Sequence, residues 1–230
     1  MLSDYEVAAL LLSLKVSSVA VLFSLPFGVV CAWILARCEF PGKSLFDSLI
    51  HLPLVLPPVV IGYILLISMG RQGSVGAVLY DWFGWSFSFS WRGAALAAAI
   101  VSFPLMVRAI RLSFESVDIR LEQAARTLGS NRLRVFFTIS LPLTLPGIVS
   151  GMVLAFARSL GEFGSTITFV SNIPGETRTI PLAMYSFIQT PGAEHEAARL
   201  CVIAIIIAVL SLTASQWLAK KAQQRVASPC

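Results

Sequence analysis

The sequence predicts an all-α integral membrane protein with five transmembrane helices, its N-terminus outside and its C-terminus cytoplasmic. Three observations predict this. Hydrophobic residues make up 57% of the 230 positions and charged residues 13%, against about 45–50% and about 25% in soluble domains. Apolar runs recur near the ~20 residues that carry a helix across a ~30 Å hydrocarbon core. Lys and Arg flank these runs unevenly, as they do where cytoplasmic loops hold the positive charge. The net charge of +5 is therefore assigned to membrane orientation, and no nucleic-acid partner is expected.

Segment one covers Val16–Ala36, with an earlier start through Val7–Leu14 left open. MLSDYEV carries Asp4 and Glu6 where a signal peptide would be positive, so this run is expected to stay in the membrane. Segment two is Leu49–Met69, and segment three, Gly93–Ile110, is short and rich in small residues. Segment four is Leu143–Leu160, with an extension to Val170 open, and segment five is Leu200–Leu218. The stretch Thr179–Thr190 is too short and polar to span and is expected to be a surface or re-entrant piece.

Eleven cations fall on one side: Arg37, Lys43, Arg108, Arg111, Arg120, Arg126, Arg132, Arg134, Lys220, Lys221 and Arg225. Five fall on the other: Lys15, Arg71, Arg92, Arg178 and Arg199. The richer side is the cytoplasmic one, which places the Arg108–Pro142 loop and the tail inside. Pro26, Pro57, Pro58, Pro104 and Pro146 lie within spans and each removes a backbone donor. They are either ordinary kinks or bends that enclose a pathway. Gly62, Gly93, Gly147, Gly151, Gly161 and Gly164 are expected to permit close helix contact.

Several chemistries are excluded or unsupported. Cys31, Cys38, Cys201 and Cys230 have no C-x-x-C spacing and are expected to be incidental thiols. Pro41-Gly42-Lys43-Ser44 contains G-K-S, but Arg37 stands where a P-loop needs its first glycine. ATP is thus not expected to bind here by that motif. His51 and His195 are isolated, and no nucleophile elbow or paired carboxylates appear, so no enzyme active site is expected. No cofactor is expected in this chain.

Residues 121–148, LEQAARTLGSNRLRVFFTISLPLTLPGI, carry the strongest signal. Good helix formers run to Leu128, and Gly129 is a natural stop. Leu121, Ala125 and Leu128 recur at spacings of four and three and make one apolar face. From these residues alone, the helix lies either on lipid or on a partner. Arg158 and Glu162 stand four apart at the far end of segment four, expected on one helical face. Intramembrane charges suggest a pathway function, but a structural pair fits equally.

The 120–142 stretch resembles the coupling loop of ABC importer permeases, E-A-A-x3-G-x9-I-x-L-P. Here it reads Gln123-Ala124-Ala125, Gly129, then Ile139-Ser140-Leu141-Pro142, with every spacing kept. Gln123 replaces the first Glu, and Glu122 sits one place earlier, about 100° away around a helix. CEFPGKS (38–44), LPLVLPPVVIGYILL (52–66), FPLMVRAIR (103–111) and ARSLGEFGSTITFVSNIPGETRTIPLAMY (157–185) extend the resemblance to molybdate permeases, with the GEFG run shared by sulfate permeases.

The resemblance implies a single type I ABC importer (MetI-like) domain over 1–230 that imports molybdate across the inner membrane. It implies coupling to an ATPase through Glu122, Gln123, Ala124, Ala125, Gly129, Ile139, Leu141 and Pro142. It implies a second copy of the chain, separate ATP-binding subunits that use the ATP, and an extracytoplasmic oxyanion-binding protein. Sulfate or tungstate permeases are the alternatives within the class. An ATP-independent secondary transporter would usually show inverted repeats, and none is evident. A membrane anchor with no transport role leaves the loop unexplained.

Overall fold

A computed structural model describes residues 3–227, with side chains to 217 except that of 215. Cys230 lies outside the described residues, as do the side chains of Lys220, Lys221 and Arg225. Every element among the described residues is helical. In chain order they are α1 (Asp4–Arg37), α2 (Lys43–Val55), α3 (Pro58–Met69), α4 (Gly76–Phe83), α5 (Trp91–Ser116), α6 (Ile119–Thr127), α7 (Arg132–Val135), a π-helical turn (Phe136–Ser140), α8 (Leu141–Leu160), α9 (Gly164–Val170), α10 (Ile180–Ile188) and α11 (Glu194–Ala227).

Among the described residues, four helical stretches are long and apolar enough to cross a membrane: α1, α5, Arg132–Leu160 and Glu194–Ala214 of α11. Segment two is corrected. It is not one straight span but α2 and α3, bent by 109° at a short break. Pro57 and Pro58 explain the break. Neither has an N–H, and proline as a first helical residue starts α3 without leaving a donor unpaired. Val60 N–H donates to the Pro57 carbonyl at 2.9 Å. Pro26, Pro104 and Pro146, by contrast, lie inside α1, α5 and α8, which continue through them.

The extension of segment four is also resolved as a break. α8 ends at Leu160, and α9 begins at Gly164. The Thr179–Thr190 stretch forms α10, whose Ile180, Leu182 and Ala183 are buried rather than on the surface. Its first N–H, that of Ile180, donates to Ser13 Oγ on α1 at 2.7 Å. Nearby, Arg199 Nε of α11 lies 3.2 Å from Glu6 Oε1, which joins the N-terminal ends of α1 and α11.

α5 is the centre of the bundle: 67% of its spanning window is buried, against 11% for α11. Between helices in lipid there is no strong hydrophobic driving force, so close approach of small residues sets the packing. Ala94, Ala95, Ala97, Ala98 and Ala99 are all buried in α5. α8 meets α5 through Gly147, which faces Ser113, and Gly151, where a Cβ would lie 3.0 Å from the Met106 carbonyl. α3 meets α9 through Gly62, whose Cβ would fall 2.6 Å from the Ser165 carbonyl. Gly161 does not belong with these glycines, since its nearest neighbour would be 3.9 Å away, on Arg158.

Because a backbone oxygen rather than a flexible side chain blocks position 62, Gly62→Leu forces α3 off α9. Overpacking usually costs about 1–3 kcal/mol, and this substitution is expected at or above that range. The measurement is the melting temperature of purified protein, against Gly161→Leu as a control expected to stay near wild type.

Candidate functional site

The loop over 120–142 folds as a closed unit. Asp118 caps α6 by accepting from the Arg120 N–H at 2.9 Å. The helix closes with Ser130 N–H donating to the Ala125 carbonyl at 3.1 Å, and Gly129 takes φ +87°. That left-handed turn is the reason for glycine there. Asn131 then caps α7, accepting from Arg134 N–H at 2.8 Å. The π-helical turn at Phe136–Ser140 carries the chain into α8. Its Phe136 ring meets Trp33 of α1 edge-on at 5.5 Å and stacks over Phe114 of α5 at 6.2 Å.

The shifted acid has a definite place. Glu122 is buried, and its Oε1 accepts from Arg37 Nε at 3.0 Å and from Ser140 Oγ at 2.9 Å. Arg37 Nη2 donates to the Val117 carbonyl at 2.9 Å. Glu122 therefore ties α6 to the end of α1 and to the I-S-L-P end of its own loop. Gln123, turned away from this contact, is exposed, as are Ala124 and Gly129. Ala125, Ile139 and Leu141 are half-buried, and Pro142 is exposed. Leu121 is 50% exposed and Leu128 86%, and Leu133 and Phe137 are exposed beside them. One side of α6 is thus bound into the chain, and an apolar side is left bare.

Arg158 and Glu162 do pair, at 2.9 Å between Nη1 and Oε2. They do not share one helical face, because Glu162 lies past the end of α8. Its other oxygen accepts from Ser165 N–H at 2.9 Å and Ser165 Oγ at 2.7 Å. Glu162 thus satisfies the first turn of α9 while holding a guanidinium from α8. The Glu162 side chain is 3% exposed and that of Arg158 32%. The Gly161–Phe163 break also touches the other one: a Cβ on Gly164 would lie 2.9 Å from Pro58 Cβ.

Nothing in the sequence paired Arg37 or Ser140 with Glu122, from which 85 and 18 residues separate them. His51 is less isolated than expected: its Nδ1 lies 3.2 Å from the Asp47 carboxylate, which also meets Arg111 at 3.0 Å. No group of three His, Cys, Asp or Glu suited to a metal occurs among the described residues.

The fold is shared with the solved MetNI methionine ABC transporter in its inward-facing conformations, at a TM-score of 0.73 and 13% identity over 96% of this chain and 99% of that one. The chain belongs to the binding-protein-dependent transport system inner membrane component family, which matches residues 24–228. It is 72% identical to the molybdenum transport system permease protein ModB of Escherichia coli (strain K12), over 97% of this chain and 98% of the relative. It is 64% identical to ModB of Haemophilus influenzae, over 96% of each.

The two ion pairs respond differently to substitution. Removing one partner of a buried pair typically costs about 3–5 kcal/mol because the other charge stays buried. Arg158→Gln strands the buried Glu162 and is expected to lower folded protein most. Glu162→Gln leaves a cation that still reaches solvent and is expected to be milder, with the double change recovering part of the loss. Yields of monodisperse protein for the three variants check this ranking. For the second pair, Arg37→Gln and Glu122→Gln are each expected to loosen α6 and to be non-additive together. Limited proteolysis of the 117–135 region measures that.

Proposed function

We propose that this chain is the transmembrane permease subunit of an ATP-driven importer that carries molybdate across the cytoplasmic membrane. The observation that supports this most is the loop at 121–142. It is braced inward by Glu122 and bare outward at Leu121 and Leu128, in a chain that matches a molybdenum permease along nearly its whole length. ATP binding belongs to a separate subunit, for which α6 is the coupling helix. The bare apolar side, with Ala124 and Ala125 on it, is the surface that seats in that subunit, and Gln123 is exposed on the other side of α6. Ile139, Leu141 and Pro142 join the loop to the span behind it.

Five crossings follow if the bent α2–α3 pair counts as one, with the N-terminus outside and the basic tail inside. The sparsely buried α11 is covered by lipid or by a second copy. Two copies enclose the pathway, and an extracytoplasmic protein delivers the oxyanion. Arg158 and Glu162 serve as a structural pair that braces the break beside the pathway, since Glu162 already neutralises the guanidinium and caps α9. Such a site relies on the delivery protein for selectivity.

Leu128→Asp puts a charge on the docking surface, and Gly129→Pro forbids the positive φ that closes α6. Both are expected to abolish ATP-driven uptake in reconstituted vesicles. Leu128→Asp is expected to lose the ATPase subunit on pull-down while the permease itself stays folded. Substrate is settled by uptake of labelled molybdate against competing oxyanions. Tungstate is expected to compete well and sulfate poorly, and equal competition by sulfate would move the assignment to a sulfate permease.

A further inference from the structure

We propose that α4 and the aromatic segment after it form a lipid-seated anchor in the outer leaflet, at the headgroup boundary. This rests on the orientation given under Proposed function. From 72 to 90 the only charged residue is Asp81. Val75, Val78 and Trp82 recur at spacings of three and four, and all three are exposed, Trp82 at 79%. Phe83, Trp85 and Phe89 continue the exposed apolar surface past the end of the helix. Tyr63, Ile64 and Ile67 of the preceding α3 are likewise exposed.

The depth of the patch comes from the cations around it. Lys15 Nζ lies 3.7 Å over the Trp91 ring, and Arg92 stacks on Trp85 at 5.2 Å. Arg71 lies 4.4 Å over Tyr80 and donates to its hydroxyl at 2.8 Å. Along α5, Arg92 and Arg111 are separated by about 28 Å at 1.5 Å per residue; along α1, Lys15 and Arg37 by about 33 Å. Both lengths match a hydrocarbon core of about 30 Å. The aromatic–cation belt therefore stands one bilayer core away from the cytoplasmic arginines, at the level where Trp and Tyr are enriched. There the apolar stripe enters the acyl boundary, and the guanidinium groups of Arg71 and Arg92 reach lipid phosphates.

The test places nitroxide labels at Ser74, Val78, Asp81 and Trp82, each substituted by Cys with the native cysteines replaced by Ala. The reconstituted permease–ATPase complex is then probed in phosphatidylglycerol–phosphatidylethanolamine nanodiscs. Collisions with oxygen are expected to exceed those with an aqueous nickel chelate at 78 and 82, and the reverse at 74 and 81. A second measurement needs no cysteine: brominated lipid is expected to quench wild-type tryptophan fluorescence more than that of Trp82→Phe.

Nickel access at all four labels, or equal quenching, overturns the anchor. Loss of access to both reagents at 82 only when the oxyanion-binding protein is added marks a protein-docking surface and also overturns it. Orientation is tested apart, with an impermeant maleimide on intact cells carrying Ser74→Cys, which is expected to label. Protection there overturns the orientation, and with it the outer leaflet, whatever the depth ratios show.

Discussion

Inside a bilayer no water repairs a broken backbone hydrogen bond, so any interruption of a helix must be satisfied by protein. This constraint governs the two breaks in the bundle. At the first, Pro57 and Pro58 bring no N–H to satisfy. At the second, the buried Glu162 carboxylate accepts from the Ser165 backbone. The two breaks shield one another because Gly62 and Gly164 let α3 and α9 approach to backbone contact. The alanine-lined α5 supplies the fixed element against which both α8 and α9 pack.

The same need to pair every buried polar group organises the cytoplasmic end. Glu122 is the one acid in α6, and it is engaged inside the chain, by Arg37 and Ser140. What α6 offers outward is consequently apolar, amide and cationic, through Arg120 and Arg126, and not anionic. A force applied to α6 is thereby passed to the end of α1 and to the start of α8 together, through an ion pair and a hydrogen bond on the same oxygen. The Phe136 ring, set between Trp33 of α1 and Phe114 of α5, ties the π-helical turn before α8 to those two helices as well.

Much of this was legible in the sequence. The apolar runs found α1, α5, α8 and α11, because a run of that length and hydrophobicity is stable chiefly as a helix in a bilayer. Gly129 was legible as a helix stop, and its positive φ bears that out. The 109° bend was not, because a Pro-Pro pair is equally compatible with a kink that keeps one span. The place of Glu162 past the end of α8 was hidden for a related reason: spacing of four suggests one helix face, but Gly161 ends the helix between the two residues. The inward turn of Glu122 depends on Arg37, which only the tertiary fold brings near. A one-residue shift in a motif showed that a side chain had turned, not what it met.

On the coupling role proposed for α6, the Glu122–Arg37 pair is expected to make it move as one body with the end of α1 when the ATP-binding subunits close. Spin labels at Glu39→Cys and Arg126→Cys, measured by double electron–electron resonance in the reconstituted complex, test this directly. The distance within one copy is expected to stay the same between nucleotide-free and ATP-bound states, while the distance between the labels at 126 on the two copies shortens. A within-copy distance that changes as much as the between-copy one would contradict the account.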